Sequence, residues 1–70
     1  MNGQRTAVDV AVVLSARGRA FRVRLKNGDH VEIPKTVVSN WDKYEEGDVN
    51  VTMDIETRWL TQHNIRVESL

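Results

Sequence analysis

The chain has 70 residues, with ten basic and ten acidic side chains, two histidines and no cysteine. That length allows one domain with a small core, and the lack of cysteine excludes a disulfide framework and thiolate metal sites. The zero formal charge is not that of a strong sequence-independent nucleic-acid binder, and no apolar run is long enough to span a bilayer.

Residues 1–6, MNGQRT, are polar and read as a mobile leader rather than a signal peptide, so a single soluble domain in the cytoplasm is the expectation. Beyond it Val8, Val10, Val12 and Leu14 alternate with Asp9, Ala11, Val13 and Ser15. This period of two predicts a strand whose even positions face the core and whose Val13 points outward. Gly18 then offers a positive φ in the turn, and parity permits a connection of two or four residues.

The stretch Ala20 to Pro34 is the best-patterned part of the sequence. Phe21, Val23 and Leu25 alternate with Arg22, Arg24 and Lys26, and Val31 and Ile33 alternate with His30 and Glu32, which predicts a hairpin with one apolar and one charged face. A two-residue Asn27-Gly28 turn would set Leu25 opposite His30 and mix the faces. A three-residue loop, Lys26-Asn27-Gly28, with Gly28 at positive φ in a bulge, pairs Phe21 with Ile33, Val23 with Val31 and Arg22 with Glu32. Pro34 lacks a backbone donor and ends this strand or confines it to an edge.

A long connection follows, in which Ser39 is positioned to cap a helical turn through Trp41, Asp42, Lys43 and Tyr44. Val49, Val51, Met53 and Ile55 then alternate with Asn50, Thr52 and Asp54, predicting a core strand. Asp54 is positioned to cap a short helix with Ile55, Trp59, Leu60 and His63 on one face, and Asn64 suits its C-terminal cap. Ile65 and Val67, alternating with Arg66 and Glu68, predict a fifth strand. The expected fold is therefore all-β with one short helix: a small five-stranded β-barrel, OB-like on its long third connection, or alternatively SH3-like on its late helix.

Phe21-Arg22-Val23-Arg24-Leu25-Lys26-Asn27-Gly28-Asp29-His30-Val31 followed by Gly47-Asp48-Val49-Asn50-Val51 resembles the F-x-V-x-L-x-N-G-x-x-V and G-D-x-V-x-V motifs of small OB-fold proteins. The resemblance is to the translation initiation factor one and S1-like type, over about two-thirds of the chain, and it implies an OB barrel that binds RNA. The chain departs from that type in being acidic between the motifs, KTVVSNWDKYEEGD. The stretches IPKTVV and WLTQHNI also resemble small phage or prophage proteins of unassigned role.

No catalytic constellation can be assembled: His30 and His63 have no metal-ligand spacing, and no serine lies in a nucleophile motif. A binding module without catalysis or cofactor is the expectation. Its first candidate surface is Arg17, Arg19, Arg22, Arg24, Lys26 and His30, clustered on and around the hairpin with no acid between Arg17 and Lys26, and suited to the phosphates of single-stranded RNA or DNA. The alternative is a phage-type module that binds a host or partner protein through Trp41 and Tyr44, unless Trp41 folds down onto the barrel. Acidic residues crowd the later stretch instead, from Asp42 to Glu56, so the surface is expected to be bipolar.

Overall fold

In the computed structural model, which describes residues 4–65, four strands form one antiparallel sheet. They are β1 (Arg5–Ser15), β2 (Ala20–Leu25), β3 (His30–Pro34) and β4 (Val49–Glu56), in the order β3-β2-β1-β4. A six-residue helix, α1 (Thr57–Gln62), follows β4, and two 3-10 turns, Lys35–Val37 and Trp41–Lys43, interrupt the connection between β3 and β4. Among the described residues the sheet is not closed into a barrel, and the fifth strand expected from the sequence falls largely on residues outside them.

The β2–β3 hairpin has the register that the apolar alternation requires. Phe21 stands opposite Ile33, Arg22 opposite Glu32, Val23 opposite Val31 and Arg24 opposite His30. At its tip the Gly28 N–H donates to the Leu25 carbonyl at 2.9 Å, and the Leu25 N–H donates to the Asp29 carbonyl at 2.8 Å. Three residues thus form the loop, with Gly28 at φ +96°, where a side chain would be strained. Asn27 supports it by accepting the Asp29 N–H on its side-chain oxygen at 2.9 Å. Between β1 and β2 the connection is the four-residue one, Ala16 to Arg19, with Gly18 at φ +69°.

β1 departs from strict alternation. Val10 pairs with Leu25 and Val12 with Arg24, so Ala11 is an extra residue on β1; Leu14 is another, between the Val13–Val23 and Ser15–Arg22 pairs. Each bulge reverses the parity. Val13 is therefore fully buried, Val12 is half-buried beside Arg24, and Leu14 is 39% exposed, which corrects the expectation that Val12 and Leu14 are core and Val13 is outward. At the same level of the sheet β4 is kinked as well: Asn50 has φ +53°, a conformation asparagine tolerates better than most residues. Beyond that kink Val49 turns outward, opposite Val12, and is 59% exposed rather than core.

The core lies on the other face of the sheet. Val8, Val10 and Val13 of β1, Phe21, Val23 and Leu25 of β2, Ile33 of β3, and Met53 and Ile55 of β4 are buried there. Val38 and Tyr44 from the connection and Leu60 from α1 cover it. Phe21 and Tyr44 meet edge to face, with ring centres 6.0 Å apart, and the Tyr44 hydroxyl donates to the Thr52 carbonyl at 2.8 Å. The polar end of the tyrosine is thus satisfied while its ring fills the core.

The sheet curls until its two edges are linked by a short stretch of chain. Four residues after β3 ends at Pro34, Val38 forms an isolated antiparallel bridge with Ile55, on the β4 edge. The next residue, Ser39, donates its N–H to the Asp54 carbonyl at 2.9 Å. Ser39 is therefore not the cap of the turn at Trp41–Lys43; Asn40, at φ +53°, precedes it without a side-chain cap bond. Asp54 likewise does not cap α1, since β4 runs on to Glu56 and Ile55 packs from the strand. The other end of α1 does follow the sequence. Asn64 adopts φ +54°, its N–H donates to the Thr61 carbonyl at 3.2 Å, and the Ile65 N–H donates to the Leu60 carbonyl at 3.0 Å. These two bonds form the Schellman closure of a helix.

Candidate nucleic-acid interface

Strand alternation that buries Phe21, Val23 and Leu25 necessarily points Arg22 and Arg24 to solvent, about 7 Å apart along β2. The loops at the two ends of the strand carry further cations, Arg17 and Arg19 at one end and Lys26 at the other, and all five residues are exposed. His30 is exposed beside Arg24 on the neighbouring strand. The six residues singled out in the sequence thus lie on or next to one strand, on the outer face of the sheet or in the adjoining turns.

Acids contact this cluster only lightly. Arg22 and Glu32 approach to 4.0 Å with both side chains mostly exposed, a pair of little energetic weight that does not hold the arginine in place. Asp29 follows the hairpin loop. On the far side of β1 the charge reverses: Asp9 accepts a 3.0 Å bond from the Thr52 hydroxyl, and Asp54, Asp42, Glu45 and Glu46 are exposed on β4 or in the connection. Lys43 and Arg58 are exposed in the same part of the chain, so the acids there are interspersed with cations.

Trp41 and Tyr44 do not form a joint surface. Tyr44 is 9% exposed and belongs to the core, whereas Trp41 keeps 47% of its surface exposed. Lys35, which the sequence reading did not single out, organises this end of the molecule. Its Nζ donates to the Ala16 carbonyl at 2.6 Å and lies 5.3 Å from the ring centres of both Phe21 and Trp41. Both contacts orient the cation toward aromatic faces. A lysine directly after the proline that ends β3 gives no sequence signal for this role, because its partners come from the β1–β2 loop, β2 and the connection.

Sequence reasoning also missed a groove between β3 and α1, which brings the two histidines toward one another. His63 stacks on Trp59 with ring centres 4.4 Å apart and has Nδ1 2.9 Å from the Trp59 carbonyl oxygen; His30 and Glu32 line the opposite wall. Among the described residues no three histidine, aspartate or glutamate side chains are grouped to hold a metal ion. Trp59 is half-buried against the core rather than enclosed by it.

These features define a small, mostly β domain: a four-stranded antiparallel sheet, one short helix and a cluster of exposed cations. Among its described residues no helix is long and apolar enough to cross a membrane. Compared with protein-family models, curated proteins and solved structures, the chain matches none.

Proposed function

We propose that the domain is a non-catalytic binding module that holds single-stranded nucleic acid, RNA or DNA, on the outer face of β2. The observation that carries this reading is the cluster Arg17, Arg19, Arg22, Arg24 and Lys26 on β2 and its adjoining turns, every member exposed and, among the described residues, only Arg22 within 4.0 Å of a carboxylate. Cations at this spacing along an extended strand follow a polyanion without needing base contacts, and the resemblance of the hairpin sequence to RNA-binding OB proteins points the same way. The long third connection underlies the further proposal of an OB-like barrel of five strands, with an SH3-like barrel as the alternative on the late helix, and the cysteine-free sequence that of a cytoplasmic location.

Fluorescence anisotropy with a labelled oligonucleotide of about 15 nucleotides, at about 10 mM salt, tests the reading where electrostatic attraction is least screened. Wild type should bind, and the slope of log K against log salt should fall by about 1.4 in an Arg22→Gln/Arg24→Gln variant, two phosphates at about 0.7 each. Undetectable binding by wild type under these conditions would overturn it. A second reading, a phage-type module for a host or partner protein, draws on the exposed Leu14, Trp41 and Val49. Under that reading Trp41→Ala abolishes the interaction and the arginine variant does not.

A further inference from the structure

The residues assigned in the sequence to two rival surfaces meet at one end of the molecule. Lys35 joins them: its ammonium is bonded to Ala16, the residue before Arg17, and sits over the indole of Trp41. The indole therefore stands beside the turn that carries Arg17 and Arg19. The Lys35 cation lies over the ring, 5.3 Å from its centre, and Trp41 keeps 47% of its surface exposed.

We infer that Trp41 is a base-stacking platform at the end of β2, taking one unpaired base on the exposed part of its ring while Arg17 and Arg19 hold the adjoining phosphates. This rests on the reading of β2 as a track for single-stranded nucleic acid and supplies what that track lacks. The outer face of β2 offers phosphate contacts but no aromatic side chain, and backbone contacts alone do not distinguish a single strand with bases from a bare polyanion. Three details favour a base over an apolar protein side chain as the occupant. The indole is flat, broad and half wet, it lies under a cation rather than in an apolar pocket, and its basic neighbours are long enough to reach a phosphate on the same ligand. The exposed acids of the connection, Asp42, Glu45 and Glu46, repel the backbone of such a ligand and direct it toward the arginine side.

The test uses the full chain with two labelled oligonucleotides of equal length, one of ordinary thymidines and one abasic throughout, at low and moderate salt. Wild type should bind the thymidine strand roughly tenfold more tightly than the abasic strand, as loss of one stacking contact implies. Trp41→Ala should bind both strands equally, with affinity for the abasic strand and the salt slope unchanged from wild type, and Trp41→Phe should recover part of the preference. Arg22→Gln/Arg24→Gln should lower the salt slope and keep the preference for bases. A wild type that binds both strands alike, or a Trp41→Ala variant that retains the preference, overturns the stacking role while leaving the β2 track in place. Failure of wild type to bind either strand overturns the track and the platform together. Retained circular dichroism in Trp41→Ala excludes unfolding as the cause of a loss.

Discussion

Truncating adjacent residues of β1 tests the parity reversal at the bulges, because Val13→Ala and Leu14→Ala exchange their expected costs depending on whether Ala11 is an extra residue. Val13 is fully buried and faces Val23, itself fully buried across the ladder. Removing two methyl groups there loses about 1.6 kcal/mol of transfer free energy, and an imperfectly filled cavity brings the total to about 2.5 kcal/mol. Leu14 loses three carbons, but it is 39% exposed and lies on the outer face, so its truncation should cost less than about 1 kcal/mol. A domain of this length has a total stability of about 3.5 to 10 kcal/mol, so the larger loss is a substantial part of it. Urea denaturation followed by circular dichroism, with tryptophan fluorescence as the second probe, resolves the difference: at about 1 kcal/mol per molar, the Val13→Ala midpoint should fall by roughly 2.5 M. A Leu14→Ala variant as unstable as Val13→Ala, or more so, would refute the bulged register and with it the outward assignment of Val12 and Leu14.

Phe21→Ala should cost about 3 kcal/mol or more, since Phe21 is fully buried opposite Ile33 and against the Tyr44 ring; a loss within about 0.5 kcal/mol in the same urea assay would refute the hairpin parity. Gly28→Ala should cost about 1 kcal/mol and Gly28→Asn less, measured as thermal stability, because nothing crowds an added Cβ there and the penalty is the positive φ alone. Equal melting temperatures for wild type and the alanine variant would mean that the loop tolerates another conformation.

Where the sequence alternates cleanly it could be read residue by residue. The β2–β3 hairpin was legible in register and loop length because each alternative register sets an apolar side chain against a charged one. The Asn64 helix end was legible because few residues accept a positive φ there. β1 was not, for an identifiable reason: Val10 to Leu14 is an unbroken apolar run, so it contains no polar residue to mark which position is skipped. Val49 was misread for a different reason, despite clean alternation: a kink at Asn50 leaves the pattern of valines intact while turning one of them out. At the candidate interface the exposed cations followed directly from strand parity. The partnership of Lys35 with Ala16, Phe21 and Trp41 did not, because it joins segments far apart in sequence through contacts that no local period encodes.

The Val38–Ile55 bridge bears on the order in which the chain folds. β1, β2 and β3 are consecutive and joined by short turns, so they pair through small loops. β4 must instead reach across β2, β3 and the connection to find β1, and Thr6 with Ile55 is among the most distant pairings in the chain. Non-local pairing of this kind slows folding, because the entropy of the closed loop is lost before the contact stabilises anything. With the three-stranded meander formed, however, Val38 already hangs close to the edge where β4 will lie. The segment that then remains to be closed runs only from Val38 to Ile55 rather than from one end of the molecule to the other. Closing that shorter segment costs less loop entropy than pairing Thr6 with Ile55 directly. The expected outcome in stopped-flow refolding is that destabilising substitutions in β2 slow folding whereas those in β4 chiefly speed unfolding.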